Sequence, residues 1–482
     1  MKKYLGVDLG TSSVKLLVIS ENGIEATVSE DYPVSYPEAG YSEQNPADWY
    51  NKTLLCLEKL SKDINLSEIV SISFSGQMHG LVMLDENDEV IRPAILWNDG
   101  RSTKEVKYLN EEIGISKLLS ETGNIAFAGF TAPKLMWVKN NEPKNFAKAK
   151  KIMLPKDYLA YMLSGVFATD TSDAAGTLYF DTKNRCWSDY MLKLIGISES
   201  QLPAVYESYE AIGNIKPELA ERFNISKDCK IVIGAGDNAA SAVGTGTVND
   251  GDCNISLGTS GTIFVNSSKF ACYEKGSIHS FCSATGEYHY LACILSAASA
   301  QKWWIEDILK ADYSTDGIEK YIGKNSVYFL PYLTGERSPV NDAEAKAVMY
   351  GMSPATTREE MTLSILEGVA FALRQNLEII RDLGVNITTS KICGGGARNK
   401  LWLKIIASVC NVELLIPEKE QGGALGAALL AARGAMNIND YTAFASQFYT
   451  VKETVKPDKA LVSAYEKSYE KYIKLYPALK NI

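Results

Sequence analysis

Two stretches of the sequence, Gly6-Val7-Asp8-Leu9-Gly10-Thr11-Ser12 and Ser256-Leu257-Gly258-Thr259-Ser260-Gly261, are near-copies of one glycine-centred loop. Each follows a short apolar run (residues 4–7 and 253–257) and leads into another (14–19 and 262–265). That order reads as strand, tight turn, strand, a β-hairpin. Glycine lets the backbone approach a ligand closely, and turn N–H groups with Thr and Ser hydroxyls can line an anion nest. One such loop is an ordinary turn; two copies suggest a duplicated fold that grips a polyphosphate from both sides. Asp8 of the first copy is Ser256 in the second, so only the first carries a carboxylate able to hold a metal ion. Two cradles and one metal position imply one nucleotide clamped between two domains.

The length, 482 residues, exceeds what one core usually supports. Strand-like runs alternate with helix-like patterns, the rhythm of an α/β protein. Strands are expected at 69–74, 80–85, 231–233, 328–330 and 391–393, and helices at 49–60, 133–139, 238–243, 361–377 and 401–409. The small-residue stretch Gly244-Thr245-Gly246-Thr247 marks a domain boundary, giving domains 1–246 and 247–482. A net charge of −9 without a basic run argues against nucleic acid or an anionic membrane as partner. The nine cysteines are scattered, with no Cys-x-x-Cys, so neither a zinc site nor a disulfide framework is indicated. The start is no signal peptide, and no apolar stretch is long enough to span a bilayer, so a cytoplasmic enzyme is expected.

Four further segments carry chemistry. Gly234-Ala235-Gly236-Asp237-Asn238 places an acid between a strand and a helix. Asp237 is either a helix N-cap or a general base that takes a proton from an attacking hydroxyl, with Asn238 beside it to hold a polyol hydroxyl. Gly394-Gly395-Gly396-Ala397-Arg398-Asn399 follows a strand and precedes a helix, a nucleotide contact that is neither a dinucleotide fingerprint nor a P-loop. Ser75-Gly76-Gln77-Met78-His79-Gly80 sets His79 in a glycine-flanked loop, and Leu96-Trp97-Asn98-Asp99-Gly100-Arg101 offers an aromatic face for the C–H side of a sugar. In the bland alternative, His79 is a satisfied structural residue, Met78 is core, and Asp99 and Arg101 are only an ion pair. Gly335 to Pro339 reads as an ordered surface turn with a local charge pair, and Gly422 to Ala428 as close helix packing.

With these segments in hand, the chain resembles the FGGY carbohydrate kinases, within the larger group of actin-like ATPases. The likeness runs essentially end to end and includes Gly129 to Trp137 and Gln421 to Ala427. Within the family, Ser75 to Gly80, Leu96 to Arg101, Leu154 to Tyr158 and Ser172 to Thr177 are similar to the branch that phosphorylates xylulose. The resemblance implies a two-domain actin-like (ribonuclease H-like) α/β fold with an interdomain cleft, a sugar-binding first domain and a nucleotide-binding second one. It implies Asp237 as catalytic base and Asp8 as the Mg2+-associated acid. Met78, His79, Trp97 and Asn238 would contact sugar. Thr11, Ser12, Gly258 and Thr259 would contact phosphate, with Gly395 and Asn399 at the adenosine end; Gln301 and Trp303 lie where related kinases approach the nucleotide.

The expected reaction is ATP plus D-xylulose to ADP plus D-xylulose 5-phosphate. Placement and charge stabilisation would carry most of it, the set assembling when the cleft closes. Rival readings are a kinase for another ketose or polyol, such as ribulose or deoxyxylulose, and a nucleotide-driven sugar sensor without catalysis. Expected partners are the sugar and ATP, with no nucleic acid or membrane. Dimers are common among such kinases, which leaves a homodimer open.

Overall fold

The computed structural model describes residues 1–311, 317–418 and 422–481. They divide into two compact units: Met1–Val248, Ser280–Tyr288 and Gln421–Tyr449 form the first, and Asn249–His279, His289–Glu420 and Thr450–Ile482 the second. The chain passes from one unit to the other next to the expected boundary. It also returns to the first unit twice, where the sequence suggests two uninterrupted halves.

The first unit is built on strands β1 (Lys3–Leu9), β2 (Ser13–Ser20), β3 (Gly23–Asp31), β4 (Ile69–Gly76), β5 (Ala211–Asn214), β6 (Lys230–Val232) and β7 (Ala235–Gly236). Their order is β5-β6-β4-β1-β2-β3, with β7 also on β4. β1 to β3 form an antiparallel meander, whereas β1, β6 and β7 run parallel to β4. Alternation sets the two faces. Leu5, Val7 and Leu9 join the core beneath helix α1 (Pro46–Asp63) and helix α2 (Pro155–Ser164). Tyr4, Gly6 and Asp8 turn the other way, toward helix α3 (Asp237–Thr245) and helix α6 (Gly422–Ala435).

The second unit repeats this plan with β8 (Cys253–Leu257), β9 (Gly261–Ser267), β10 (Tyr288–Ile294), β11 (Thr389–Cys393), β12 (Glu413–Pro417) and β13 (Val451–Val455). Over these six strands the order β13-β12-β11-β8-β9-β10 matches that of the first sheet, and the strand His279–Cys282 continues beyond β10. β8 and β9 form the hairpin, β11 lies parallel to β8, β12 parallel to β11, and β13 closes the edge antiparallel. The duplication inferred from two short loops is therefore a duplication of sheet topology. Helix α4 (Arg358–Asp382), opened by a capping box between Thr357 and Glu360, and helix α5 (Lys400–Cys410) cover this core.

The expected helices each form a residue or more longer at both ends, and the strand expected at 231–233 shifts to Lys230–Val232, without Ile233. The strand expected at 80–85 shortens to Val82–Leu84, because Gly80 abuts the Pro155 ring. The turn at Gly335 to Pro339 is not a surface feature. Glu336 and Ser338 are buried, and the Glu336 carboxylate accepts the N–H groups of Leu295 and Arg337 at 2.9 and 2.8 Å. Gly422 to Ala428 does pack as read: a Cβ on Gly426 would stand 1.7 Å from the Ala240 carbonyl oxygen. Gln421, at the head of that segment, lies outside the described residues.

Candidate active site

Three parallel strand ends set the geometry of the first unit. The register pairs Asp8 with Ser75 and Leu9 with Gly76, and pairs Ala235 and Gly236 with the same two residues. Asp8 and Asp237 thus stand on either side of β4 at one carboxyl edge, the edge where α/β sheets collect ligands. Gly234 makes the join possible: it has φ +79° and lies so near β4 that a Cβ would fall 2.0 Å from the Phe74 carbonyl oxygen. Asp237 is not the N-cap considered above; Gly236 takes that position and Asp237 is the first helical residue. Burial pushes its carboxyl up to about 7, the Asp8 charge adds to this, and the Asn238 N–H opposes it. The Asn238 amide donates to Asp237 Oδ1 at 3.1 Å and toward Met78 Sδ at 3.6 Å. Asp8 is also pushed up by burial, against the Ser75 hydroxyl and the Lys15 ammonium.

Met78 is 3% exposed, and its thioether packs where any Cβ on Gly236 would sit, so it forms floor beneath Asn238 and Asp237. His79 holds a left-handed backbone at φ +69°. Its Nδ1 lies 2.7 Å from the Gly176 carbonyl oxygen, and its ring faces Phe130 at 4.7 Å. Trp97 is 45% exposed and its indole N–H donates to Thr11 Oγ1 at 2.9 Å, which ties the aromatic to the first loop. Ser12 is exposed at the turn. The Gly10 and Gly258 amides are occupied within their own turns, by Ser13 O and Ser260 O at 3.0 Å, leaving hydroxyls and adjacent amides to face a ligand. Asp99 and Arg101 are an ion pair, both buried, with paired contacts at 2.7 and 2.8 Å.

In the second unit, Thr259 and Gln301 line a cavity of about 490 Å³ together with Ala298, Ser299, Lys302 and Ile305. Gly258 and Thr259 are seated by their carbonyls, which accept the Ala298 and Ala297 N–H groups at 2.9 Å. Trp303 does not reach that wall; it stacks on Phe329 at 6.3 Å. Gly395 lines a second cavity of about 370 Å³ with Arg398, Lys400 and Leu403. Of the glycine triplet, Gly394 and Gly396 are pressed against Leu257, whereas a Cβ on Gly395 would meet nothing within 4 Å. Protein packing accounts for the outer two glycines, and the middle one is exposed. Asn399 caps α5, accepting the Trp402 N–H at 3.2 Å. The structure therefore groups Asp8, Thr11, Met78, His79, Trp97, Asp237 and Asn238 in one unit. Gly258, Thr259, Gly395 and Asn399 fall in the other, with Thr259 and Gly395 on separate cavities.

Asp8 suits a Mg2+ ion in chemistry. It is a half-buried carboxylate electrostatically coupled to a second one, and the glycine at 423 lets helix α6 lie directly against it, since a Cβ there would stand 2.9 Å from Oδ1. Among the described residues no three His, Cys, Asp or Glu side chains converge as a closed metal cage. A Mg2+ ion takes one or two carboxylates and completes its shell with water and phosphate.

Sequence reasoning missed the charges underneath. Lys156 is fully buried with its Nζ 2.6 Å from Asp157, 3.1 Å from Asp170 and 3.9 Å from Asp173. Asp173 is held well above the usual carboxylate range by burial. Asp170 also accepts the Ser172 hydroxyl, whose oxygen in turn accepts the Gly236 N–H at 3.1 Å, directly before Asp237. Lys134 is buried as well, bonded among the described residues only to backbone carbonyls. The available signal was charge inside apolar sequence, as in Met153-Leu154-Pro155-Lys156-Asp157-Tyr158 and Pro133-Lys134-Leu135-Met136.

Residues 3–244 match the N-terminal domain of the FGGY family of carbohydrate kinases, and residues 253–435 its C-terminal domain. A xylulose kinase of Escherichia coli (strain K12) is 37% identical, the match covering 99% of each chain. Among solved structures, one described as a xyloylose kinase from Brucella ovis superposes with TM-score 0.93 at 41% identity, covering 99% of both chains. A gluconate kinase from Lactobacillus acidophilus reaches the same TM-score at 26% identity, covering 99% of this chain and 98% of its own. With matches to both domain models and full-length relatives, the chain belongs to the FGGY family of carbohydrate kinases.

Proposed function

We propose that this chain transfers the γ-phosphoryl group of ATP to D-xylulose, forming ADP and D-xylulose 5-phosphate. The observation that carries the reading is Asp237: an acid at a strand edge, held by Asn238 and raised to about 7, where an ordinary carboxylate would be a weaker base. The ketose's terminal hydroxyl oxygen attacks the γ-phosphorus and its proton passes to the Asp237 carboxylate. The bond from that phosphorus to the bridging oxygen breaks, and ADP leaves with the electron pair. Asn238 and His79 offer polar contacts and Trp97 an exposed apolar face for the sugar. Asp8 would hold Mg2+, directly or through water, and the ion when bound neutralises phosphate charge. The Thr259 and Gly395 cavities are the candidate places for the nucleotide.

The gluconate kinase is the specific observation behind a second reading, an aldonate substrate. The two buried cations beside the pocket speak for a neutral ketose instead. Arg101 is bound to Asp99 and Glu43, and Lys134 to carbonyls, so neither is available to pair with a substrate carboxylate. The test is ADP release on D-xylulose, D-ribulose, pentitols, glycerol and D-gluconate, with and without Mg2+. D-xylulose is expected to give the highest kcat/KM. Preference for another sugar moves the substrate, and silence on every sugar ends the kinase reading. Asp237→Asn should lower kcat by about 10²–10⁴-fold with sugar KM within a few-fold; near-normal turnover removes Asp237 as base.

A further inference from the structure

Lys134 sits in the first turn of the helix Thr131–Asn141 with its side chain fully buried. A buried ammonium normally pairs with a carboxylate, as Lys156 does. Among the described residues Lys134 has only oxygen dipoles as partners: its Nζ donates to the His79 carbonyl at 2.9 Å and to the Gly129 carbonyl. Burial depresses it to about 7, and only the Asp99 charge works the other way. Such an arrangement is costly, and both carbonyls belong to loops that carry the pocket. His79 is in the left-handed region at φ +69°, which a non-glycine residue adopts only when its surroundings impose it. Lys134 and the Thr131 hydroxyl, at 3.1 Å, both donate to that residue's carbonyl. Gly129 in turn lies so close to Trp97 that a Cβ would stand 2.7 Å from the Trp97 carbonyl oxygen. Gly176 completes the clamp from the far side, since a Cβ there would be 2.6 Å from the His79 ring.

We infer that Lys134 is the positioning residue of the sugar pocket, fixing His79 and Trp97 in register by bridging the His79 and Gly129 carbonyls. The inference rests on the kinase reading and on His79 and Trp97 as sugar contacts. Lys134 touches no substrate. Its loss should be felt by the sugar alone and not by the nucleotide, whose candidate cavities lie in the other unit.

The experiment compares wild type with Lys134→Met, Thr131→Val and Gly176→Ala in steady-state kinetics on D-xylulose and ATP, with thermal unfolding in parallel. Lys134→Met should raise the KM for D-xylulose about tenfold or more, while the KM for ATP and kcat stay within about threefold. Gly176→Ala, which displaces the ring directly, and Thr131→Val, which removes the second donor, should move the same constant, Thr131→Val by less. If Lys134→Met does not fold, these two decide the matter. An unchanged sugar KM in folded variants, or a fall in kcat that simply tracks lost stability, overturns the inference. Failure of the wild type on every sugar would instead condemn the kinase reading, so the two failures are distinguishable.

Discussion

The two hairpins share a sheet order and a turn, yet two of their differing aligned positions change the chemistry, Gly6 against Asn254 and Asp8 against Ser256. In the first sheet α6 presses so near that a Cβ on Gly6 would stand 2.3 Å from the Ala424 carbonyl oxygen. In the second, Asn254 keeps a side chain, and its Oδ1 accepts the Cys393 thiol at 3.6 Å. The close helix and the buried acid go together. The first turn of α6, at Gly423, covers Asp8 and withdraws it from water, which raises its proton affinity. The copy that kept room for a side chain has a serine where the other has its acid. Duplication preserved the scaffold, and the charge chemistry developed at one strand edge only.

That contrast breaks most sharply at Asp237, through pH. A carboxyl whose folded pKa is raised to about 7 favours the folded state at acid pH; this contribution is lost as pH rises from the unfolded value near 4 through 7. Replacing Asp237 by Asn removes the slope. The variant's stability relative to wild type should be near zero at pH 4 and rise by on the order of 4 kcal/mol by pH 8, an upper bound given coupling to Asp8. Denaturant melts at the two pH values check it, and a difference that does not grow with pH means the acid is not desolvated. The same titration should place the acidic limb of kcat/KM near pH 7, above the range of an ordinary carboxylate.

The next test strikes the scaffold. Gly6→Ala must push its methyl into the α6 backbone, which cannot yield as a side-chain tip would, and should cost about 3 kcal/mol. Asn254→Ala at the aligned position should cost about 1 kcal/mol or less, the loss of a weak contact. Equal costs in urea denaturation would mean that the two sheets are packed alike.

These differences also show what the sequence could and could not tell. The strand-turn-strand pattern at both hairpins is local, carried by alternation and glycine, so 253–257 was legible to the residue. The acids at 8 and 237 were legible because a carboxylate between glycines at a strand end is unusual. The return of residues 280–288 and 421–449 to the first unit is a long-range packing event that no local period encodes. Glu336 was misjudged for the same reason: Gly-Glu-Arg-Ser-Pro has a turn's composition, but the Leu295 amide, distant in sequence, provides its buried partner. Lys134 and Lys156 were passed over because burial of a charge depends on what surrounds it, and only the fold brings the carbonyls and carboxylates there.

The smallest expected effect is the most direct test of why one hairpin carries an acid. Asp8→Asn should raise the Mg2+ concentration for half-maximal turnover on the order of tenfold, as losses of groups around a bound metal commonly do. Ser256→Asp places a carboxylate at the aligned position of the second hairpin, but that site registers with Cys393 and has no second acid alongside, where Asp8 has Asp237. A carboxylate added there is half-buried like Asp8 but lacks that paired charge, so the Mg2+ requirement should stay within about twofold. Titrating ADP release against Mg2+ for both variants separates the cases. If Asp8→Asn leaves the requirement unchanged, or Ser256→Asp lowers it as far as Asp8→Asn raises it, paired burial at the first strand edge is not what recruits the ion.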